Sequence, residues 1–326
     1  MPRGIWSTYT DSPAHGPFLR LPATARQELQ VAEALLRGEW SLANCAVAQD
    51  GDGYLVVIRL VNYRLGVPRP RRAVSRQILQ YLDADLRPTA TVELDCSLLH
   101  AVACHPFDVS RTFGVEDVRP FRWRGAWWFT GVSCNVEPYG NPRVVLGCID
   151  QRGRRIEHLV ELFYPEQLHM EKNWLPIAQG ERLTLLYSTN PFVLLAVDPE
   201  SGLCRTQRYS ALLADEQLDL RGSGAPVNLP DGRLLYSVHG VADAGNGRTY
   251  WHCFVALDAG LEATHLSYPF VFEGRPVEFS CGHCLTHDGS HLLIAWSRDD
   301  SQCFISAVPL AEVERLLQPL ALSPTG

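Results

Sequence analysis

The sequence of 326 residues predicts an all-β fold, a five-bladed β-propeller with short N-terminal and C-terminal helices. Three observations support this prediction. Five Gly-bearing turns each lead into an apolar run rich in β-branched or aromatic residues, which is the sequence pattern of a β-hairpin. The turn glycines recur at intervals of roughly 50 to 75 residues, a spacing that suits a four-stranded blade. Helix signals almost vanish between residues 38 and 308.

The five turns, together with the strands that follow them, are distributed along most of the chain. They occupy residues 50–59, 124–129, 179–187, 230–239 and 287–296. In a propeller each would form a hairpin of one blade, and the circular arrangement would hide most strand edges. Two stacked β-sandwiches are the competing all-β arrangement, but they give no reason for a regular repeat.

The two ends of the chain differ from this repeat. Residues 1–22 are rich in Pro, Gly and Ser and predict an irregular arm. Residues 24–37 carry apolar side chains at helical spacing and predict an amphipathic helix, and residues 310–317 predict a closing helix. The predicted organisation is an arm and helix over residues 1–40, a propeller over 41–308, and a helix and tail over 309–326.

Composition and charge exclude several classes of partner. The 29 Lys and Arg residues are outnumbered by 36 Asp and Glu residues, so no overall basic field attracts nucleic acid or a membrane surface. The N-terminus lacks the apolar run of a signal peptide, and no later run approaches the ~20 residues of a membrane span. These features predict a cytoplasmic protein. Ten cysteines without close framework spacing predict buried, reduced thiols.

Two further motifs are set aside on physical grounds. Cys281 and Cys284 have the Cys-x-x-Cys spacing of a redox centre, but the following residues lead into a strand and not into the helix that such a centre needs. The neighbouring histidines lack a second close pair of ligands for zinc. No phosphate-binding Gly-rich loop precedes a helix, which argues against nucleotide binding of the Rossmann or P-loop type.

Polar residues cluster at the starts of the predicted innermost strands, which converge on one mouth in a propeller. These residues are Asn44, Glu116, Asp117, Arg119, Glu171, Lys172, Asn173, Arg221 and Glu278, and Arg59, His239 and Arg143 lie on further strands. Taken singly, Asp117 with Arg119 is better explained as a structural ion pair, and His239 as a hydrogen-bonded core histidine. Their recurrence at equivalent points of the repeat favours an active site.

Three motifs follow one another along the chain. They are Gly-Val-Glu-Asp-Val-Arg at residues 114–119, Glu-Lys-Asn-Trp-Leu-Pro at 171–176, and Gly-Ser-Gly-Ala-Pro at 222–226, which leads to Val-His-Gly-Val at 238–241. In this order they resemble glycoside hydrolase family 130, the β-mannoside phosphorylases and their relatives. Asn44 and Arg59 are similar to residues of the family's first blade, and Glu278 to one of its last. The resemblance spans about residues 40 to 308.

The resemblance implies inverting glycosyl transfer at a β-mannoside-like linkage, by phosphorolysis to a sugar 1-phosphate or by its reverse. It implies that Asp117 is the catalytic carboxylate and that phosphate is bound by Arg143, Lys172 and His239. The implied substrate-binding residues are Asn44, Arg59, Glu116, Arg119, Asn173, Arg221, Glu278 and Asp299. The expected partner is an oligosaccharide or sugar phosphate, with inorganic phosphate as co-substrate and no other cofactor or metal; a homo-oligomer stays open.

This sequence departs from the family's pattern, and the departures leave the reaction open. Val118 stands where the family has Pro, Asn173 stands where it has Asp, and residues 295–300 replace its Tyr-Tyr-Gly-x-x-Asp. The alternatives are a glycosyltransferase with an activated sugar donor, a glycoside hydrolase, and a non-catalytic glycan-binding propeller. Neighbouring cations lower the pKa of a carboxylate, so Asp117 is expected to be ionised and to act through a sugar hydroxyl or as a base.

Overall fold

The computed structural model describes residues 18–36, 40–64, 67–68, 70, 73–104, 112–150, 152–168, 170–213, 218–243 and 248–320. These residues form an all-β fold of five sheets, four with four strands and one with eight. Among them, no helix is long and apolar enough to cross a membrane. The cellular location of the protein therefore stays a prediction.

Three of the four-stranded sheets follow one another along the chain, each with its strands in sequence order. The first contains β3 (Ser41–Asp50), β4 (Gly53–Val61), β5 (Ser75–Leu82) and β6 (Pro88–Glu93). The second contains β7 (Glu116–Trp123), β8 (Ala126–Ser133), β9 (Arg143–Ile149) and β10 (Ile156–Glu161). The third contains β11 (Leu175–Gln179), β12 (Arg182–Ser188), β13 (Phe192–Val197) and β14 (Cys204–Ser210).

The other two sheets recruit strands from the ends of the chain. The eight-stranded sheet contains β15 (Arg221–Gly222), β16 (Val227–Asn228), β17 (Leu234–Asp243), β18 (Arg248–Leu257), β19 (Ala263–Ser267), β20 (Phe270–Val271), β1 (Leu19–Arg20) and β24 (Leu317–Pro319). The last sheet contains β21 (Glu278–Leu285), β22 (His291–Arg298), β23 (Gln302–Pro309) and β2 (Ala25–Glu28).

Apolar residues between neighbouring sheets form the core and arrange the five sheets in a circle. Leu55 and Phe129 share one cluster between the first and second sheets, and equivalent clusters join each following pair. A further cluster, which contains Ile58 and Ala295, joins the last sheet back to the first. The innermost strands β21, β3, β7 and β11 pack against one another around the centre.

The all-β propeller prediction is confirmed, but the prediction of five equal blades is not. Only four sheets are regular four-stranded blades. The remaining sheet differs because its inner edge is broken into β15 and β16, which both pair with β17, and because β1 and β24 add strands from both chain ends. Local turn spacing gives no information about such additions.

The predicted N-terminal helix over residues 24–37 is wrong. Ala25–Glu28 is the strand β2, which pairs antiparallel with β23, and only Glu33–Leu36 forms one 3-10 turn. The backbone groups of β2 are satisfied by the open edge of the last sheet, and this pairing overrides the helical spacing. The closing helix is confirmed as α2 (Leu310–Leu316), and a short helix α1 (Leu98–Val102) lies between the first two sheets in the chain.

Candidate functional site

Three innermost strands bulge where they reach the centre of the ring. The pairing register shifts between Ala43 and Cys45 in β3, between Glu116 and Arg119 in β7, and between Ser280 and Gly282 in β21. A bulge inserts an extra residue and redirects its side chain. Asn44 and Asp117 occupy two of these bulges with φ of 25° and 52°, a left-handed conformation that Asn and Asp tolerate better than most residues.

Arg59 of β4 joins the two carboxylates of β7 from the neighbouring sheet. Its Nη1 lies 3.0 Å from Asp117 Oδ1, and its Nη2 lies 2.8 Å from Glu116 Oε1. The guanidinium also donates to Ser75 Oγ at 2.9 Å and to Tyr63 Oη at 2.7 Å. The planar fork of donors thus fixes Arg59 in one orientation.

Asn44, which lies in β3, binds the same carboxylate oxygen of Asp117. Its Nδ2 donates to Asp117 Oδ1 at 2.7 Å, while its Oδ1 accepts from Ser297 Oγ of β22 at 2.9 Å. Among the residues that the structure describes, no side chain binds Asp117 Oδ2. The arrangement therefore fixes one oxygen of the carboxylate and leaves the other for a ligand.

The charges around Asp117 keep it ionised. Burial alone would raise the pKa of Asp117, but Arg59, Lys172, Arg119 and the Asn44 N–H together hold this pKa below its usual value. Burial would likewise lower the pKa of Arg59, whereas Glu116 and Asp117 raise it. The expectation of an ionised Asp117 is supported by this geometry.

Arg119 links three sheets beneath Asp117 and is 1% exposed. Its Nε donates to the Ser223 backbone oxygen at 2.7 Å, its Nη1 to the Asp117 backbone oxygen at 2.9 Å, and its Nη2 to Asn173 Oδ1 at 2.9 Å. Asn173 also has a left-handed backbone, with φ of 67°. All three nitrogens of the Arg119 guanidinium thus donate to protein oxygens, and these bonds hold Asp117 and Asn173 in place.

His239 lies on the far side of this group and is buried. Its Nδ1 is 2.9 Å from Ser223 Oγ, and its ring packs edge to face against Phe279. Burial lowers the pKa of His239, and the nearby charges of Arg221 and Arg119 lower it further, against the opposing effect of Asp117. A neutral His239 can donate or accept a hydrogen bond but brings no positive charge.

Lys172 is the exposed cation of the site. Its charge is one of those that lower the pKa of Asp117, and no described carboxylate lies within ion-pair distance of its ammonium group. It is also the only lysine in a chain that contains 28 arginines. The presence of a single lysine among so many arginines distinguishes position 172 in the sequence, but the prediction of the site did not use it.

Two predicted site residues are engaged elsewhere. Arg143 Nη1 donates to the Leu168 backbone oxygen at 2.8 Å, and its Nε lies 3.5 Å from Glu161 Oε1, so it forms an ion pair within its own sheet. Glu278 is fully buried, and its carboxylate accepts from three backbone N–H groups of the preceding turn, those of Phe272, Glu273 and Arg275. The carboxylate of Glu278 thus stabilises that turn. These hydrogen bonds account for the burial of Glu278, and no substrate contact is needed to explain it.

The remaining two predicted residues lie at the edges of the site. Arg221 is exposed and paired with Asp219, although its charge reaches His239. Asp299 has a left-handed φ of 53°, and its backbone N–H donates to the Val277 backbone oxygen. Asp300, the next residue, is the one whose charge helps to raise the pKa of Arg59 against the opposing effect of burial. The role of Asp299 in substrate binding stays a prediction.

The structure adds residues that sequence reasoning missed. Ser75, Tyr63 and Ser297 bind the side chains around Asp117, and none of them was predicted as a site residue. Ser223, which binds His239, lies in the motif at residues 222–226. Among the described residues, no group of three or more His, Cys, Asp or Glu side chains is arranged to hold a metal ion. All ten thiols are free, and seven of them are buried.

No protein-family model matches the sequence, and no curated protein matches it. Solved structures are similar in fold. The β-1,2-mannobiose phosphorylase from Listeria innocua is 14% identical, with 85% of this chain and 93% of that chain covered and a TM-score of 0.57. A GDP-Man-dependent mannosyltransferase from Leishmania mexicana is 11% identical, with 93% of each chain covered and a TM-score of 0.54.

A third structure comes from the family 130 of mannoside phosphorylases, described as containing glycoside hydrolases that target β-1,2-mannosidic linkages in Candida mannan. It is 11% identical, with 95% of this chain and 94% of that chain covered and a TM-score of 0.58. At such identities the similarity shows the fold. The resemblance that motif order predicted is confirmed at that level: this chain has the propeller fold of the glycoside hydrolase family 130 mannoside phosphorylases and their relatives.

Proposed function

We propose that this protein is a carbohydrate-active enzyme that transfers a glycosyl group, with inversion, between a sugar 1-phosphate and a sugar hydroxyl at a β-mannoside-like linkage. The observation that carries this proposal is the ionised Asp117, one oxygen of which is fixed by Arg59 and Asn44, beside Lys172, to which no described carboxylate is paired. A carboxylate accepts a proton from a hydroxyl, and a cation near it suits a phosphate group.

The reaction can be written from these groups. In the synthetic direction the acceptor hydroxyl oxygen attacks the anomeric carbon, the bond from that carbon to the phosphate oxygen breaks, and phosphate leaves with the electron pair. The hydroxyl proton passes to Asp117. In phosphorolysis a phosphate oxygen attacks, and the proton returns from Asp117 to the departing sugar oxygen, directly or through a sugar hydroxyl. Attack from the opposite face inverts the anomeric centre.

The comparisons agree with this choice of substrate. The similar proteins include a mannobiose phosphorylase, proteins that hydrolyse mannosidic linkages and a mannosyltransferase. Three reactions on one fold mean that the fold does not select the reaction. The site must do so, and in this chain it contains the carboxylate Asp117 and the cation Lys172.

The first test is Asp117→Asn. With a β-mannoside and phosphate, or with α-mannose 1-phosphate and mannose, we expect this variant to lose activity by at least about 10³-fold while it keeps its thermal melting temperature. Phosphate consumption and release measure the two directions. Equal turnover by the variant and the wild type would reject Asp117 as the catalytic carboxylate, and absence of turnover with every donor would favour a glycan-binding propeller.

Hydrolysis is the second candidate, and one specific observation favours it. Of the three groups predicted to bind phosphate, Arg143 is paired with Glu161 and His239 is neutral, whereas Lys172 has no carboxylate partner among the described residues. A weak anion site would let water replace phosphate as the nucleophile. Release of free sugar from a β-mannoside at the same rate with and without phosphate would establish hydrolysis.

The single lysine offers a direct measure of anion binding. Reductive methylation with ¹³C-formaldehyde labels only Lys172 and the terminal amine of this chain. We expect the Lys172 signal to shift on titration with inorganic phosphate, with no shift on titration with chloride at matched ionic strength. A signal that does not respond to phosphate would support hydrolysis over phosphorolysis.

A further inference from the structure

Ser297 binds Asn44 from the side opposite Asp117. It lies on β22, is 1% exposed, and belongs to the last sheet, whereas Asp117 belongs to the second. Its hydroxyl has two acceptors within reach: Asn44 Oδ1 at 2.9 Å and the Phe279 backbone oxygen at 3.4 Å. The three side chains form a chain of hydrogen bonds from Ser297 through Asn44 to Asp117 Oδ1.

The donors and acceptors in this chain decide which way the Asn44 amide points. An ionised Asp117 accepts only, so the amide must present its N–H₂ group to Asp117 and its oxygen to Ser297, which then donates. When Asp117 takes up a proton, the proton goes to Oδ2, because Oδ1 already accepts from Arg59 and Asn44. The amide keeps its orientation in both protonation states as long as Ser297 donates to its oxygen.

We propose that Ser297 is a positioning residue that sets the orientation of the Asn44 amide and so holds Asp117 Oδ1 while a proton is exchanged at Oδ2. The inference rests on the proposed function, because that function assigns the proton exchange to Asp117. An alanine at position 297 would leave the Asn44 oxygen without a donor. The amide would then hold the ionised carboxylate less well.

Other charged or titratable groups also face Asp117 and remain in place when Ser297 is changed. They are Arg59, Glu116, Arg119, Lys172, His239 and the thiol of Cys281. Their effects are constant across Ser297 variants, so a change in the titration of Asp117 reports on Asn44. A hydrogen bond to the charged form lowers the pKa of an acid, and weakening that bond must raise it.

The test compares Ser297→Ala with Ser297→Thr, which keeps the hydroxyl, and with Ser280→Ala. Ser280 is a matched control, because it is a buried serine of the same sheet whose hydroxyl donates only to the Ala295 backbone oxygen, at 2.7 Å. In Ser297→Ala we expect a fall in kcat of roughly ten-fold with little change in KM, and an acid limb of the pH–rate profile moved to higher pH. Ser297→Thr and Ser280→Ala are expected to resemble the wild type.

A second readout does not depend on turnover. The ¹³C signal of the Asp117 carboxyl, assigned by its loss in Asp117→Asn, gives the titration midpoint of that group in each folded variant. We expect a higher midpoint in Ser297→Ala alone. A midpoint equal to that of the wild type overturns the role of Ser297, even when no substrate is turned over; a raised midpoint in a protein without activity supports that role and rejects the proposed function.

Discussion

Asp117 owes its ionised state to residues of other strands and sheets. Arg59 is 58 positions away along the chain and Asn44 is 73 positions away, yet both contact the same carboxylate oxygen. Burial opposes the ionised state, and the two donors with the charges of Lys172 and Arg119 overcome it. The reactivity of Asp117 is therefore a property of the cluster.

Replacement of Arg59 by Lys tests this cluster. A lysine keeps the positive charge but lacks the fork that joins Asp117, Glu116, Ser75 and Tyr63. We expect a loss of turnover of about 10²-fold, because the carboxylate is no longer held in one position. The pKa of Asp117 should rise, so the acid limb of the pH–rate profile should move to higher pH.

Initial rates across pH measure both effects. Arg76→Lys is the control, because Arg76 lies on the adjacent strand β5 and pairs with Glu93 at the surface. Wild-type rates in Arg59→Lys would show that the charge alone suffices and that the fork has no role.

Bulged strands decide, at the level of the element, where the site residues point. A regular β3 or β7 would alternate its side chains between the two faces of the sheet. The extra residue at Asn44 and at Asp117 breaks this alternation and directs both side chains to the centre. The left-handed backbone at these two positions disfavours most other residue types, which restricts substitution even where the side chain is not used.

The strand β2 is a second element, and its contribution to the stability of the fold can be measured. It supplies the outer strand of the last sheet, where Gln27 pairs with Ile305. Gln27→Pro removes a backbone N–H from this ladder and should lower the free energy of unfolding by about 1–3 kcal/mol. Gln27→Ala is the control, since it removes only the side-chain bond to the Leu86 backbone oxygen. Equal denaturation midpoints for the two variants would contradict the strand assignment.

The whole molecule is held by apolar contacts between sheets, and these contacts bury three histidines. Burial lowers the pKa of His252 to about 3 and that of His283 to about 4, and it also lowers the pKa of His239. For His252, neither ring nitrogen has a hydrogen-bond partner among the described residues. All three are therefore neutral in the folded protein at pH 7.

Acid should destabilise the fold through these residues. A histidine in the unfolded chain takes up a proton below about pH 6.5, whereas His252 in the folded protein does not. The stability that the neutral histidine contributes is therefore complete above that pH. The free energy of unfolding falls as the pH drops, by about 2 kcal/mol for His252 alone at pH 5. Denaturant titrations at pH 7.5, 6 and 5 measure this slope.

A variant isolates the contribution of His252. His252→Leu should flatten the pH dependence between 7.5 and 5, because the leucine has no proton to gain. The control is His100→Gln, which replaces an exposed histidine. An identical slope in His252→Leu and the wild type would assign the acid sensitivity to other groups.

The sequence alone determined the all-β class and the five hairpins of the repeat. Alternating apolar runs and Gly turns are local signals, so they located these hairpins without tertiary information. Asn44, Arg59, Asp117, Arg119 and Lys172 were predicted because they recur at equivalent points of a repeat, and the structure places the other four around the Asp117 carboxylate.

Only the tertiary structure decided which strand each segment pairs with and which group each charged side chain binds. Residues 25–28 have helical spacing but form a strand, because the edge of β23 satisfies their backbone groups. Arg143 pairs with Glu161, Glu278 binds a turn, and the charge of Asp300 acts on Arg59. Each outcome depends on a group far away in the sequence or on a bulge that local patterns do not encode, and the closing of the sheets into a ring brings those groups together.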